Sequence, residues 1–272
     1  MNTIKDKTIL ITGSTDGIGK QTAIELAQTG ANVIIHGRNQ QRTKIVYEAI
    51  KDKTGNDSID YFVADLSSLE EVRGLSDNIH DKYEKIDVLL NNAGVFEPER
   101  IITKDGFERT FAVNHLAHFL LTDLLMDLIE KPDSGRIINV SSMAHASDLD
   151  FDNLQGEQHY DCYTAYSYSK LCNILFTYHL ARKLSDTNIT ANCLHPGVIG
   201  TKLLRAGWGI GGGSLKEGCR TSVYLATSHE VENVSGKYFV NNRQANPASI
   251  SYDVSIQNRL WKLSEELVSI SF

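Results

Sequence analysis

The stretch ITGSTDGIGKQTAIELA, residues 11–27, decides how the rest of the chain is read. An apolar run, TILITG at 8 to 13, leads straight into glycines at 13, 17 and 19, and these open a segment whose apolar residues recur at helical spacing. Strand, glycine loop and helix in immediate succession are what a phosphate cradle needs. Glycine lets the backbone approach the ligand, and the first helical turn offers unpaired N–H groups at the positive end of its dipole. A tight turn alone could also ask for glycine. The strand before it and the amphipathic helix after it favour the dinucleotide reading, with Gly13, Ser14, Thr15, Gly17, Ile18 and Gly19 as contacts.

Outward from this loop the same alternation continues. NVIIHG at 32 to 37, DYFVAD at 60 to 65, DVLLNN at 87 to 92, RIINVSS at 136 to 142, TANCLHPG at 190 to 197 and KYFVNN at 237 to 242 read as further strands. Most are nearly continuous in apolar residues, as parallel strands covered on both faces are. Helical patterns fill the gaps at about 17 to 29, 40 to 53, 68 to 84, 105 to 130, 163 to 185 and 215 to 228, with a last one near 256 to 268. Strict β–α alternation with right-handed crossovers predicts an α/β fold. It is a Rossmann-type doubly wound parallel sheet of about seven strands, order 3-2-1-4-5-6-7, with helices on both faces. No linker, repeat or low-complexity tract divides residues 1–272, so a single domain is expected.

Bulk properties exclude several classes. At 41% apolar and 22% charged residues the 272-residue chain has an ordinary globular mix. With 27 basic against 34 acidic residues, a net charge of −7 and no basic cluster, nucleic acid is not an expected partner. The N-terminal MNTIKDKTILITG holds no signal-like apolar stretch, and no run reaches the length that spans a bilayer. Cys162, Cys172, Cys193 and Cys219 show no CxxC spacing and read as reduced thiols, so a cytoplasmic protein without membrane insertion is expected. No metal site is expected: His115 and His118 share a helix face without a carboxylate or thiol partner and read as core or interface histidines.

The unusual residues fall where strands end: Gly13, Arg38, Asp65, NNAG at 91 to 94, Ser141 with Ser142, and HPG at 195 to 197. In an open parallel sheet those ends share one edge, so six segments converge on one cleft. Into the same region runs TAYSYSK, residues 164 to 170, which sets Tyr166 and Lys170 one helical turn apart. Such a pair is either a surface contact worth a few tenths of a kcal/mol or a proton donor beside a cation. The phenol of a free Tyr holds its proton too tightly to act as a base at neutral pH, and an ammonium one turn away would lower its pKa.

The GxxxGxG spacing resembles that of the short-chain dehydrogenase/reductase family. The resemblance continues through NNAG, Asn114 in the fourth helix, NVSS ending at Ser142, YSYSK and HPGVIGT at 195 to 201, all in that family's order over nearly the whole chain. GRIINVSSMAH, SYSKLCNILFTYHLARKL and LHPGVIGTKL are most similar to the family's retinol-dehydrogenase-like branch. The resemblance implies a catalytic set of Asn114, Ser142, Tyr166 and Lys170. Ser142 rather than Ser141 would hold the substrate oxygen, Lys170 would bind the nicotinamide ribose, and Asn114 would fix a relay water. It further implies Asp65 and Leu66 beside the adenine, Asn92, Ala93 and Gly94 on the adenosine side, and Pro196, Gly197, Val198 and Thr201 at the nicotinamide.

Cofactor choice has its own signal. The second strand ends IIHGRNQQR, with Arg38 where an NAD site would carry a carboxylate, so NADP(H) is expected over NAD(H). Ser14 could add a hydrogen bond to the phosphate, Asp16 would repel it if turned inward, and Arg38 could simply be solvated. Two segments are expected to shape the pocket: 143–165, and the glycine-rich 202–218, read as a flexible apolar lid or as an ungated loop. The expected reaction moves a hydride between NADP(H) and a retinoid-like, steroid-like or xenobiotic carbonyl or alcohol. The alternative is a catalytically idle NADP-binding sensor or scaffold. The helices around 107–130 and 168–184 are apolar over much of their circumference, which suits a homodimer or homotetramer.

Overall fold

The computed structural model describes residues 4–269. Residues 1–3 and 270–272, the ends of the expected 1–272 domain and the start of the N-terminal segment read for an export signal, lie outside the described residues. One sheet organises the molecule. Its strands are β1 (Thr8–Ile11), β2 (Asn32–Gly37), β3 (Ile59–Val63), β4 (Val88–Asn91), β5 (Gly135–Val140), β6 (Ile189–His195), β7 (Tyr238–Val240) and β8 (Arg243–Ala245). The order is 3-2-1-4-5-6-7-8, the first seven parallel as expected and β8 antiparallel to β7. This eighth strand follows from Asn241 and Asn242, both at positive φ (49° and 62°), which close a two-residue hairpin whose twist matches its strands. Chain order reverses between β1 and β4, and the carboxyl ends of those strands frame the cleft.

Alternate residues of the central strands feed two cores. Ile9, Ile11, Ile35 and Leu90 pack beneath α1 (Gly17–Gln28), α2 (Gln40–Thr54) and α9 (Leu215–Thr227). Leu10, Ile34 and Leu89 face the other layer, of α3 (Leu69–His80), α5 (Ala117–Leu124), α7 (Cys162–Lys183) and α10 (Val254–Val268). The predicted 105–130 helix is broken: α4 (Arg109–Phe111) runs into a π-helical turn, Ala112–Leu116, before α5, and α6 (Met126–Ile129) follows. Such turns insert an extra residue and re-aim the side chains around them, often at functional sites.

The apolar circumference expected to meet a second copy is covered within the chain. Trp261 of α10 lies 4.9 Å from Phe119 and stacks on His179 at 4.2 Å, and Leu260 beside it is buried. Arg182 pairs with Gln257, and Ser264 meets the ring of His115 at 2.8 Å. α10 thus packs along α7 and meets α5 at Phe119, burying part of their apolar surface within the chain.

Two expected loops also differ. Segment 202–218 is built, not slack: Thr201 caps α8 (Lys202–Trp208), Gly209 ends it at φ 64°, and Gly213 bonds back to Val198 and Gly200. Segment 143–165 touches the cleft only through Met143 and Ala144. Its remainder is pinned outward, as Tyr160 donates to the Glu97 carbonyl, Arg100 donates to that of Gln155, and Arg259 covers the Phe151 ring at 4.1 Å. No helix among the described residues is long and apolar enough to cross a membrane.

Candidate active site

A cleft of about 570 Å³ opens at the strand ends and gathers nearly all the predicted site residues. Its floor is the glycine loop. Gly13 and Gly17 hold positive φ (63° and 51°), a conformation that penalises any side chain. At Gly13 a Cβ would sit 2.7 Å from the Ala93 backbone, and at Gly19 one would lie 2.5 Å from the Gly13 carbonyl. Backbone thus replaces side chains along a groove that ends at the first turn of α1. A pyrophosphate fits this cradle on geometry and on dipole sign.

The loop is fixed by residues that the sequence reading passed over. Thr12 accepts the N–H groups of Asn92 (2.9 Å) and Ala93 (3.0 Å) on its hydroxyl, which also meets His118 Nε2 at 3.0 Å. The N–H of Gly13 reaches His36 Nδ1 at 3.2 Å, while His36 Nε2 meets the Ala64 carbonyl at 3.0 Å. Burial pushes His36 down to about 4, so the ring is neutral and takes one fixed tautomer. Ser14 corrects an expectation. It is fully buried, donating to the Ile11 carbonyl (2.8 Å) and accepting from His36 N–H (2.8 Å), and it fastens the loop to β2 without lining the cleft.

Asp16 lines the cleft, but its carboxylate is not free. Its carboxylate caps α1 at Gly17 N–H (2.9 Å) and bridges Arg42 (2.7 Å) to Lys202 (2.9 Å). Partial burial pushes its pKa up, but the hydrogen bonds from Lys202, Gly17 and Arg42 prevail and hold it at about 2. Arg38 is exposed at the rim of the cleft. Asp65 accepts from Ser67 N–H at 2.9 Å and is not the cap of α3, which is Ser68. Burial opposes ionisation of Asp65, yet the Ser67 hydrogen bonds and the Arg38 field keep its pKa low. Leu66, Gly94, Pro196, Gly197 and Val198 line the cleft, as do Thr15, Ile18 and Thr201, the last serving also as the cap of α8.

The predicted reactive set meets at one end. Tyr166 is 6% exposed, lines the cleft beside Ser142, and is pushed up to about 12 by burial, which the nearby Ser142 hydroxyl only partly offsets. Lys170 Nζ lies 5.6 Å from the Tyr166 ring centroid and donates to the Val140 carbonyl at 3.0 Å. Burial lowers its pKa to about 8. The expected lowering of the phenol by this cation is therefore overruled: desolvation dominates, and the ammonium points at a carbonyl. Ser141 spends its hydroxyl on the Lys170 carbonyl (2.7 Å), which leaves Ser142 as the serine beside the phenol. Asn114, on the π turn, has its amide filled by Val95 N–H (2.8 Å), the Val95 carbonyl (3.0 Å) and Ser169 Oγ (2.9 Å). It anchors the NNAG loop, and any water it held would be bound through its backbone.

Four-residue Tyr–Lys spacing recurs on α2, where Lys51 lies 5.5 Å from the Tyr47 ring centroid and pairs with Asp57. Neither residue of that pair lines the cleft, so spacing alone does not mark the site. Around Tyr166 stands an aromatic wall. Trp208 of α8 meets its ring at 5.4 Å and Phe96 at 5.4 Å, and Tyr163 donates to the Gly207 carbonyl at 2.6 Å. Leu203, Leu204 and Ile210 continue this surface. His115 and His118 are buried core residues, and no cluster of metal-ligating side chains occurs among the described residues.

Residues 7–208 match the family model described as short chain dehydrogenase. Retinol dehydrogenase 13 of Homo sapiens is 40% identical over 98% of this chain and 86% of its own length. The crystal structure of an uncharacterized protein from Mycobacterium paratuberculosis superposes with a TM-score of 0.82 at 30% identity, covering 98% of this chain and 94% of that one. A short chain dehydrogenase of Escherichia coli CFT073 complexed with NADPH gives a TM-score of 0.74 at 25% identity, over 89% of this chain and 99% of that one.

Proposed function

The chain belongs to the short-chain dehydrogenase family, and from that premise we propose that it is an oxidoreductase moving a hydride between NADP(H) and an apolar carbonyl or alcohol. The observation that carries this reading is that Tyr166 and Ser142 line one end of the cleft together, with Lys170 one turn away, where the glycine cradle ends. When bound, the nicotinamide dinucleotide supplies or accepts the hydride. The protein's part is to hold and to protonate. Ser142 and Tyr166 both line this end of the cleft, and a carbonyl oxygen bound there would accept from their two hydroxyls. Tyr166, held at about 12, keeps its proton throughout the neutral range and is ready to give it to that oxygen.

The glycine loop and the first turn of α1 would seat the pyrophosphate, with Gly94 leaving room near Lys170 for the ribose: a Cβ there would sit 3.4 Å from Nζ. Arg38 would receive the 2′-phosphate, since Asp16 is already neutralised by Arg42 and Lys202. The relative crystallised with NADPH supports this choice of cofactor. Arg38→Asp should lower the NADPH-to-NADH ratio of kcat/KM about 10- to 100-fold, the worth of one charged hydrogen bond. An unchanged ratio would show that Arg38 does not touch the phosphate.

Leu203, Leu204, Trp208 and Ile210, which line the cleft, support a lipophilic substrate, as does the name of the human relative. Four cysteines without disulfide partners fit a cytoplasmic location. Turnover of aldehydes, ketones and lipophilic alcohols followed by NADPH absorbance tests the whole reading. Tight NADPH binding with no turnover of any of them would leave the sensor or scaffold.

A further inference from the structure

Immediately after Ser142 the chain turns sharply. Ser142 Oγ accepts from Ala144 N–H at 3.0 Å, and the Ser142 carbonyl receives two donors from His145: its backbone N–H at 3.3 Å and its ring Nδ1 at 2.6 Å. The far ring nitrogen, Nε2, accepts the N–H of Ala248 at 2.9 Å. A ring that accepts at Nε2 must carry its proton on Nδ1, which is what the short contact to the Ser142 carbonyl requires. Both nitrogens are therefore engaged with one consistent tautomer, and the ring lies edge-on to Tyr238 of β7 with centroids 5.6 Å apart. His145 does not line the cleft.

We propose that His145 is a positioning residue: by joining the Ser142 carbonyl to the Ala248 amide, it fixes the backbone from which the Ser142 hydroxyl is presented to the substrate oxygen. The proposal rests on the carbonyl-reductase reading above, since Ser142 matters only where a substrate oxygen is held. Its physical basis is the narrow tolerance of such sites. Ser142 Oγ has to meet a substrate oxygen beside the phenol of Tyr166, and an ångström of drift spoils that contact. The turn of Ser142 has no regular strand to restrain it, because β5 ends at Val140. His145 supplies the restraint from the segment that follows β8, an element brought beside it by the Asn241–Asn242 hairpin.

The test uses the full chain, three single variants and one double variant. Removing both contacts in His145→Ala should lower kcat about 10- to 100-fold, with the Kd for NADPH within about twofold of the wild type, because the glycine cradle is untouched. His145→Asn keeps a donor within reach of the Ser142 carbonyl and should recover most of the loss. Ala248→Pro deletes the anchoring N–H alone, and the φ of −54° at Ala248 already suits proline. It should lower kcat in the same sense, with no further loss when combined with His145→Ala. Wild-type kcat in His145→Ala, or equal losses in the Ala and Asn variants, or independent losses in the double variant, would overturn the proposal. Should His145→Ala not fold, the Asn and Pro variants decide alone. A wild-type protein that turns over no carbonyl overturns the functional reading instead, which separates the two failures.

Discussion

Tyr166→Phe should lower kcat for carbonyl reduction about 10²- to 10⁴-fold while leaving the Kd for NADPH nearly unchanged, the span expected when a positioned general acid is lost. The substitution removes one oxygen and keeps the ring that Trp208 and Phe96 pack against. Stability should therefore move little. The pH profile carries a second expectation. With Tyr166 at about 12 and Lys170 at about 8, kcat/KM for reduction in the wild type should hold level through neutral pH and fall as pH rises past about 8, where the ammonium beside the phenol is lost. A variant that retained most of its turnover, with a folded cleft and bound NADPH, would remove Tyr166 from the chemistry.

Lys170→Met should abolish turnover and raise the unfolding midpoint of the protein without cofactor. The buried ammonium is what makes the difference. Burial lowers its pKa from 10.5 to about 8, which corresponds to about 3 kcal/mol lost by folding around a charge. The sign follows from linkage: below about pH 8 the amine is protonated folded and unfolded alike, so the cost is present in full at pH 7. It fades between about 8 and 10.5, where the unfolded chain holds the proton and the folded one does not. Methionine fills similar space without the charge, and the Val140 carbonyl keeps the Asn173 amide at 3.3 Å as a partner. A rise of several degrees in melting temperature is expected for about 3 kcal/mol in a domain of this size. A lower midpoint in the variant would mean that the ammonium stabilises the fold, contrary to its burial. The site therefore keeps a residue that the fold alone would not select.

Much of this was legible in the sequence because the two signals were independent. Period-two alternation in runs such as Ile9-Leu10-Ile11 feeds both cores at once, and chemistry-bearing residues cluster at strand ends. What escaped notice lay in contacts between distant segments. That Ser14 would bond to Ile11 and His36 could not be read from its place in a glycine loop. His145 sits in a stretch taken for substrate loop, and its partner is more than a hundred residues away. By contrast, α8 had a local signature, a Thr cap ahead of KLLRAGW and a glycine after it, which the density of glycines downstream outweighed. The Asn-Asn dipeptide at 241 and 242 was likewise a hairpin signal absorbed into a strand. The phenol's raised pKa is of another kind, since spacing shows which groups are neighbours but not how much water they lose.

The cover that α10 lays over α5 and α7 arrives late in the life of each molecule. Roughly 70 residues separate the end of α7 from the start of α10, several seconds of synthesis at ribosomal speed. Through that interval Phe119, Phe176 and their neighbours are made but bare, and the nascent protein presents a sticky aromatic flank that folding factors would have to shield.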